Sequence, residues 1–176
     1  MTKQESFMKE FFPNYFIFES SEITKEMVKL KFVTKKRTVI CPHCHKPTTE
    51  YVTYYTRNVQ DLSILDRATF ISIKFRKMKC ENSDCNIKYF NEPLDEFVSV
   101  KKRYTNRLIN LITKVALTNT AEGGSRILKE HNISVSGDKL LQLVKNYEHK
   151  IDKKKVTAIG VDDFALKKNI HMELFL

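Results

Sequence analysis

The sequence predicts an α+β fold, in which a small β-rich zinc-binding module precedes a three-helix bundle of the helix-turn-helix type. Three observations predict it. The four cysteines fall into two close pairs, the apolar period changes from two residues to about 3.6 residues near Tyr104, and helical spacing then recurs in three short segments. The two predicted modules span residues 1–98 and 99–152.

The cysteine spacing predicts one tetrahedral zinc site. Cys41 and Cys44 belong to the motif CPHC, Cys80 and Cys85 are separated by four residues, and 35 residues lie between the pairs. Two thiolates from each of two turns supply the four soft ligands that Zn²⁺ prefers. The metal is therefore expected to be structural and to organise the first half of the chain.

Alternative roles for these residues stay open at the sequence level. A CxxC pair is also typical of redox proteins, and four cysteines can form two disulfides or remain buried thiols. The first ten residues are polar and charged, without the apolar segment of an export signal, so we expect a cytoplasmic location with reduced thiols. His43 and His45 are alternative zinc ligands, although four cysteines already complete the set.

The charge of the chain favours a polyanionic partner. It contains 31 Lys and Arg against 21 Asp and Glu, for a formal net charge of +10. Residues 101–155 hold thirteen basic and five acidic side chains, so most of the surplus lies in the second predicted module. No stretch is long and apolar enough to span a bilayer, and no membrane partner is expected.

Four segments of the first module have the composition of strands. They are rich in β-branched and aromatic residues, and several of them alternate apolar and polar positions. The predicted strands cover residues 15–18, 27–33, 51–57 and 68–76, and the last one leads towards Cys80. A short helix is expected before about residue 10.

Three helices are predicted in the second module. Leu108, Ile112 and Val115 lie on one apolar stripe, and Thr120 is a candidate N-cap for a second helix with a Gly-Gly step inside it. A third helix, capped by Ser136 or Asp138, is expected to run to about Lys150. The pattern is that of a helix-turn-helix with its third helix in the major groove of DNA, although other small helical bundles give the same spacing.

Basic residues of both modules are candidate DNA contacts, through phosphates above all. On the last strand of the first module, a solvated edge is an equally good interpretation. The predicted contacts are Arg57, Lys74, Arg76, Lys77, Lys79, Lys101, Lys102, Arg103, Arg107, Arg126, Lys139 and Lys145.

The last segment is an apolar run that ends in two carboxylates, Asp162 and Asp163, and is followed by a second strand-like run. A strand that ends in carboxylates can present them to a divalent metal. A surface turn in which either side chain caps the local backbone is the alternative.

Taken together, these motifs resemble one family, the bacterial insertion-sequence transposases of the IS-L-three group. The resemblance covers about residues 15–176 and depends on the order of its parts. These are CPHC, Arg57-x3-Asp61-Leu62, Cys80-x4-Cys85, Tyr89-Phe90-x-Glu92-Pro93, the helical bundle and the segment Ile159–Lys168.

The resemblance implies a DNA-binding protein that recognises the terminal inverted repeats of an insertion sequence as duplex DNA. It also implies that residues 153–176 begin a ribonuclease-H-like catalytic domain, with Asp162 as the first carboxylate of an Asp-Asp-Glu triad. The sequence ends at Leu176. We therefore expect binding without strand transfer, with Mg²⁺ required only in a full-length enzyme.

Two further expectations concern partners. A homodimer, or a complex with a full-length transposase, is the expected protein partner. The alternative function is a zinc-stabilised protein-interaction or regulatory module without sequence-specific DNA binding, whose binding would be insensitive to salt.

Overall fold

The computed structural model describes residues 8–99 and 102–147. The chain divides into two compact units, residues 1–146 and residues 147–176. The predicted catalytic segment at 153–176, with Asp162, lies outside the described residues, as does Lys101.

Within the described residues, seven strands form the β-rich part. All four predicted strands are confirmed. Residues 8–11 are helical, and the rest of the short helix predicted before about residue 10 lies outside the described residues. The two-residue strands near the first cysteine pair have too few residues to show a period and were not predicted. The strands are β1 (Phe16–Ile23), β2 (Met27–Thr34), β3 (Val39–Ile40), β4 (Pro47–Thr48), β5 (Tyr51–Ile64), β6 (Arg67–Lys79) and β7 (Tyr89–Asn91).

β6 is the central strand of the main sheet. The order is β1-β2-β6-β5, and β7 pairs with the last residues of β6. β5 runs antiparallel along nearly the whole of β6, whereas β2 runs parallel to residues 68–74 and β7 antiparallel to residues 77–79. β3 and β4 form a separate two-stranded hairpin. β6 therefore runs from the centre of the sheet to the second cysteine pair.

One face of the sheet carries the larger core. Alternate residues point to the same face of a strand, and Leu30, Phe32, Ile71 and Ile73 are almost fully buried on it. Phe12 and other aromatic residues close this core from outside the sheet. The opposite face holds mainly polar residues at the β2 end, as expected for a sheet with one solvated face.

Three helices follow the sheet: α1 (Asn106–Thr118), α2 (Ala121–Glu130) and α3 (Gly137–Lys145). Thr120 caps α2 and Ser136 caps α3, each accepting a backbone N–H three residues later, as predicted. The third helix ends at Lys145, earlier than the predicted Lys150. All three helices pack around a second core that contains Leu108, Leu128 and Leu140.

The turn between α2 and α3 has a defined geometry. Asn132 adopts a left-handed conformation, with φ of 59°, and directly follows His131, the C-cap residue of α2. The N–H of Ile133 donates to the carbonyl of Leu128 at 2.9 Å, and that of Asn132 donates to the carbonyl of Lys129. Ile133 is buried in the helical core, so the turn fixes how α3 leaves α2.

Buried Asp61 links β5 to α1. It accepts hydrogen bonds from Thr105 at 2.6 Å and from Nε of Arg107 at 2.8 Å. Thr105 is the N-cap of α1, so this carboxylate fixes the first turn of the helix. Gln60 also donates to the carbonyl of Asn132 in the α2–α3 turn. These contacts cross the predicted module boundary at residues 98–99, which stays a prediction.

Candidate functional site

Two turns bring the four cysteines together. Cys41 and Cys44 lie in the turn between β3 and β4, and Cys80 and Cys85 lie in the loop between β6 and β7. The hairpin closes by hydrogen bonds from the N–H of Cys41 to the carbonyl of Lys46 and from the N–H of His45 to the carbonyl of Cys41, both 3.0 Å. β6 delivers the second pair, as the sequence predicted.

The four sulfurs fit a tetrahedral zinc ion. All four lie within 4.8 Å of one another, with 4.0 Å from Cys41 to Cys85 and 3.6 Å from Cys44 to Cys80. A tetrahedron with Zn–S bonds of about 2.3 Å requires sulfur separations of about 3.8 Å. A disulfide requires about 2.05 Å, and all four cysteines are free thiols. The geometry therefore fits a shared metal and does not fit cystines.

The pKa values of the clustered thiols also favour a bound cation. The backbone N–H of Lys46 and the neighbouring thiols lower the pKa of Cys44 to about 6. The N–H of Asn82 acts in the same direction on Cys80, but burial and the other sulfurs outweigh it and raise the pKa of Cys80 to about 12. Four thiolates in one cluster repel one another, and a divalent metal removes this obstacle to ionisation.

The two histidines of the first turn differ in their surroundings. Nδ1 of His43 lies 3.6 Å from Sγ of Cys85, so its ring touches the sulfur cluster. His45 adopts a left-handed conformation, with φ of 56°, at the point where the turn reverses. The four sulfurs already complete a tetrahedral set, which leaves His43 beside that set.

The sulfur cluster is packed onto the end of the sheet. Cys41 and Met78 are fully buried and share a small core with Val39 and Phe90. The core is small because the turns that carry the cysteines are short. Metal coordination is therefore expected to supply much of the stability that burial alone cannot supply here.

A buried ion pair continues this packing. Glu92 accepts hydrogen bonds from Nη2 of Arg76 at 2.9 Å and from the hydroxyl of Thr34 at 2.7 Å. Arg37, which leads into the first cysteine pair, donates to the same carboxylate at 3.2 Å. Burial alone raises the pKa of Glu92, but the hydrogen bonds from Arg76 and Thr34 outweigh it and leave the pKa lowered. The network ties β2, β6 and β7 to the zinc-binding turn.

The predicted DNA contacts on β6 divide between its two faces. Lys74 is exposed on the face that it shares with Arg76. Lys77 and Lys79 lie on the opposite face of the strand. Arg76 is only 1% exposed, and its guanidinium is bonded to Glu92 and to the carbonyl of Arg37. The prediction of Arg76 as a DNA contact is therefore corrected, because its charge is used inside the protein.

Two further predicted contacts have partners within the protein. Arg57 donates to the carbonyls of Ser99 and Lys102, and burial lowers its pKa. Arg107 forms an ion pair with Asp61 and lies over the ring of Phe12, 5.0 Å from its centroid. Both side chains hold the sheet against the segment that enters α1, and each remains partly exposed.

The remaining predicted contacts in the helical region are more accessible. Lys102 and Arg103 are exposed and, together with partly exposed Lys139, line a cleft of about 470 Å³ at the N-terminus of α3. Arg126 is exposed on α2 and Lys145 at the end of α3. The structure thus gathers basic side chains from before α1 and from α3 on one cleft.

Some important residues have a role that spacing alone does not reveal. Asp61 and Glu92 are parts of the resembled motifs, but their role as buried hydrogen-bond acceptors depends on partners that are distant in the sequence. Tyr55 and Tyr89 were placed in or beside strands, and their exposure was not predicted. Glu92 stands two residues from apolar Phe90 and two from apolar Leu94, and a charged residue within such an alternation is the available sequence signal for a buried acid.

Comparisons with known proteins give one match. Residues 37–85 match the family model described as the zinc-finger of transposase IS204/IS1001/IS1096/IS1165. No curated protein and no solved structure gives a significant match. The matched segment contains all four clustered cysteines and thus indicates a zinc ribbon like that of these transposases. Among the described residues, no helix is long and apolar enough to cross a membrane.

Proposed function

We propose that this protein binds duplex DNA as the recognition part of a transposase-related protein, at the terminal inverted repeats of an insertion sequence. The observation that carries the proposal is the basic cleft at the N-terminus of α3, lined by Lys102, Arg103 and Lys139. The zinc-ribbon match to transposases supports the same class of function.

In this proposal α3 is the recognition helix of a helix-turn-helix. Leu141, Gln142 and Lys145 lie on its exposed side, and Leu141 is 51% exposed. An amide side chain can pair with adenine in the major groove, and an apolar side chain can contact the methyl group of thymine. A single orientation of α3 on the duplex therefore places this face against the bases and the cleft at its N-terminus against the phosphates.

The zinc ribbon has a supporting role in this mechanism. Zinc, held by the four cysteines, is a structural ion that neutralises the thiolates and fixes the two turns. Asp61 and Gln60 of β5 then fix the start of α1 and the turn before α3. The sheet thus places α3 relative to the basic residues around it.

Substitution of the cleft residues tests the proposal. Arg103→Ala with Lys139→Ala is expected to weaken binding to a duplex carrying the inverted repeats that border the gene, by roughly tenfold. The slope of log affinity against log salt is expected to become shallower by about 2, because two phosphate contacts are lost. Fluorescence anisotropy at several salt concentrations measures both quantities.

Lys25→Ala is the matched control, because Lys25 is exposed in the turn between β1 and β2 and does not line the cleft. It is expected to change both quantities less than the cleft variant. Binding of the wild-type chain that is equal for repeat and scrambled duplexes would contradict recognition of the repeats. Salt-insensitive binding to a protein partner, without DNA binding, would favour the alternative of a protein-interaction module.

A further inference from the structure

One end of the sheet is open on the face that carries the larger core. Ile71, Ile73 and Phe75 of β6 are buried on this face, and the alternation continues to Lys77 and Lys79. β2 pairs with β6 only as far as Lys74, and β7 takes its place beyond that point. The first residues of β5, the last residues of β6 and β7 thus form a three-stranded surface beyond the core.

Two exposed tyrosines flank a lysine on this surface. Tyr55 pairs with Phe75 across β5 and β6, and Tyr89 pairs with Lys79 across β6 and β7, so both rings lie on the same face as Lys77. The amine of Lys77 lies 5.9 Å from the ring centroid of Tyr55 and 5.1 Å from that of Tyr89. We call Tyr55, Lys77, Lys79 and Tyr89 the tyrosine–lysine face.

The rings of this face are available to a ligand. Tyr55 is 44% exposed and Tyr89 is 49% exposed, although both are large aromatic side chains. Thr53 and Asn91 are the cross-strand partners of Lys77 and are also exposed. The surface therefore combines aromatic rings, amines and small polar groups on three adjacent strands.

The opposite side of the same strands is firmly supported. Arg76 and Met78, the neighbours of Lys77 on β6, are buried against the zinc ribbon and Glu92. Because successive side chains of a strand point to opposite faces, the zinc ribbon lies behind the tyrosine–lysine face. Zinc binding is therefore expected to hold the two rings in place.

We propose that the tyrosine–lysine face binds single-stranded nucleic acid. Unpaired bases stack on exposed aromatic rings without regard to sequence, and nearby amines attract the phosphates. Duplex bases are stacked on one another and reach a protein only through the grooves, which admit a helix or a two-stranded ribbon better than the open face of a sheet. The positive charge of this face and its exposed rings thus favour an unpaired strand.

This site is separate from the basic cleft proposed for duplex DNA. The cleft is built by residues 102–104, 134–136 and 139, whereas the tyrosine–lysine face lies on β5, β6 and β7. The chain therefore has two proposed binding sites of different chemistry, one for paired and one for unpaired nucleic acid. A substitution can abolish binding at either site and leave binding at the other unchanged.

Fluorescence anisotropy of labelled 12-nucleotide dT and rU strands, with a duplex carrying the inverted repeats as a third probe, tests the proposal. Tyr55→Leu with Tyr89→Leu is expected to weaken binding of the single strands about 10- to 100-fold and to leave duplex affinity unchanged. Tyr55→Phe with Tyr89→Phe is the matched control, since it retains both rings, and should bind as the wild type does. The two single strands separate DNA from RNA as the ligand.

A second variant replaces the lysine instead of the tyrosines, so that a folding defect of the leucine variant cannot by itself decide the test. Lys77→Gln retains both tyrosines and is expected to weaken single-strand binding severalfold and to make the salt dependence shallower. Zinc content of every variant is measured alongside. The proposal is overturned if the wild type binds neither single strand, if the leucine variant binds them normally, or if duplex affinity falls in parallel.

Discussion

Serine in place of Cys41 is expected to abolish stoichiometric zinc binding and to unfold the zinc ribbon while the larger core of the sheet survives. Cys41 is fully buried, and its sulfur is one of four in the cluster. Three thiolates and a hydroxyl bind zinc far more weakly, and structural zinc in small finger domains supplies on the order of 10 kcal/mol of apparent folding free energy. The core around Phe32 and Ile73 does not touch the metal site.

Metal analysis and hydrogen exchange measure this result. Backbone protection is expected to be lost in residues 37–50 and 80–91 and to persist in β2 and in the first half of β6. Lys46→Ala is the control, because it removes a side chain of the same turn and leaves all four sulfurs in place. A zinc-free Cys41→Ser protein with full protection in the ribbon would show that the metal does not organise it.

Replacement of Glu92 by glutamine is expected to lower the free energy of unfolding by about 3–5 kcal/mol at neutral pH. The charge of Arg76 then stays buried without its counterion, and the hydrogen bond from Arg37 weakens. Urea denaturation of zinc-loaded protein gives the free energy. Glu26→Gln, on an exposed carboxylate before β2, is the matched control and should change it little.

The pH dependence gives a second readout for Glu92. Its folded pKa lies below the ordinary value of 4.5, so the native state favours the ionised form. The corresponding stability is fully present above pH 4.5 and is lost as the pH falls through the lowered folded pKa. The difference between wild type and Glu92→Gln is therefore expected to shrink below pH 4.5. A difference that stays constant at acid pH would contradict this assignment.

The cysteine cluster and the element types were predictable because they depend on local patterns. Two turns with the spacing of Cys41-x2-Cys44 and Cys80-x4-Cys85 need only a strand between them to meet at one point. The caps at Thr120 and Ser136 act on an N–H three residues away, so the sequence predicts Thr120 as one cap and Ser136 or Asp138 as the other. Neither inference required knowledge of the sheet.

The roles of the arginines were less predictable because burial is set by distant parts of the chain. Arg76 and Lys74 lie on the same face of β6, and Arg76 is buried against Glu92, sixteen residues later, while Lys74 is exposed. Arg107 similarly depends on Asp61 in β5. The parallel pairing of β2 with β6 also follows from the arrangement of the whole sheet. A surplus of basic residues therefore indicated a polyanionic partner without identifying which side chains face it.

X-ray absorption spectroscopy at the zinc edge of the purified 176-residue chain identifies the ligands of the metal. We expect one zinc ion per chain, surrounded by four sulfur atoms at about 2.3 Å. A spectrum with a nitrogen ligand in place of one sulfur would move His43 or His45 into the ligand set. Protein purified under reducing conditions with zinc available, yet free of metal or carrying cystines, would contradict the shared site of Cys41, Cys44, Cys80 and Cys85.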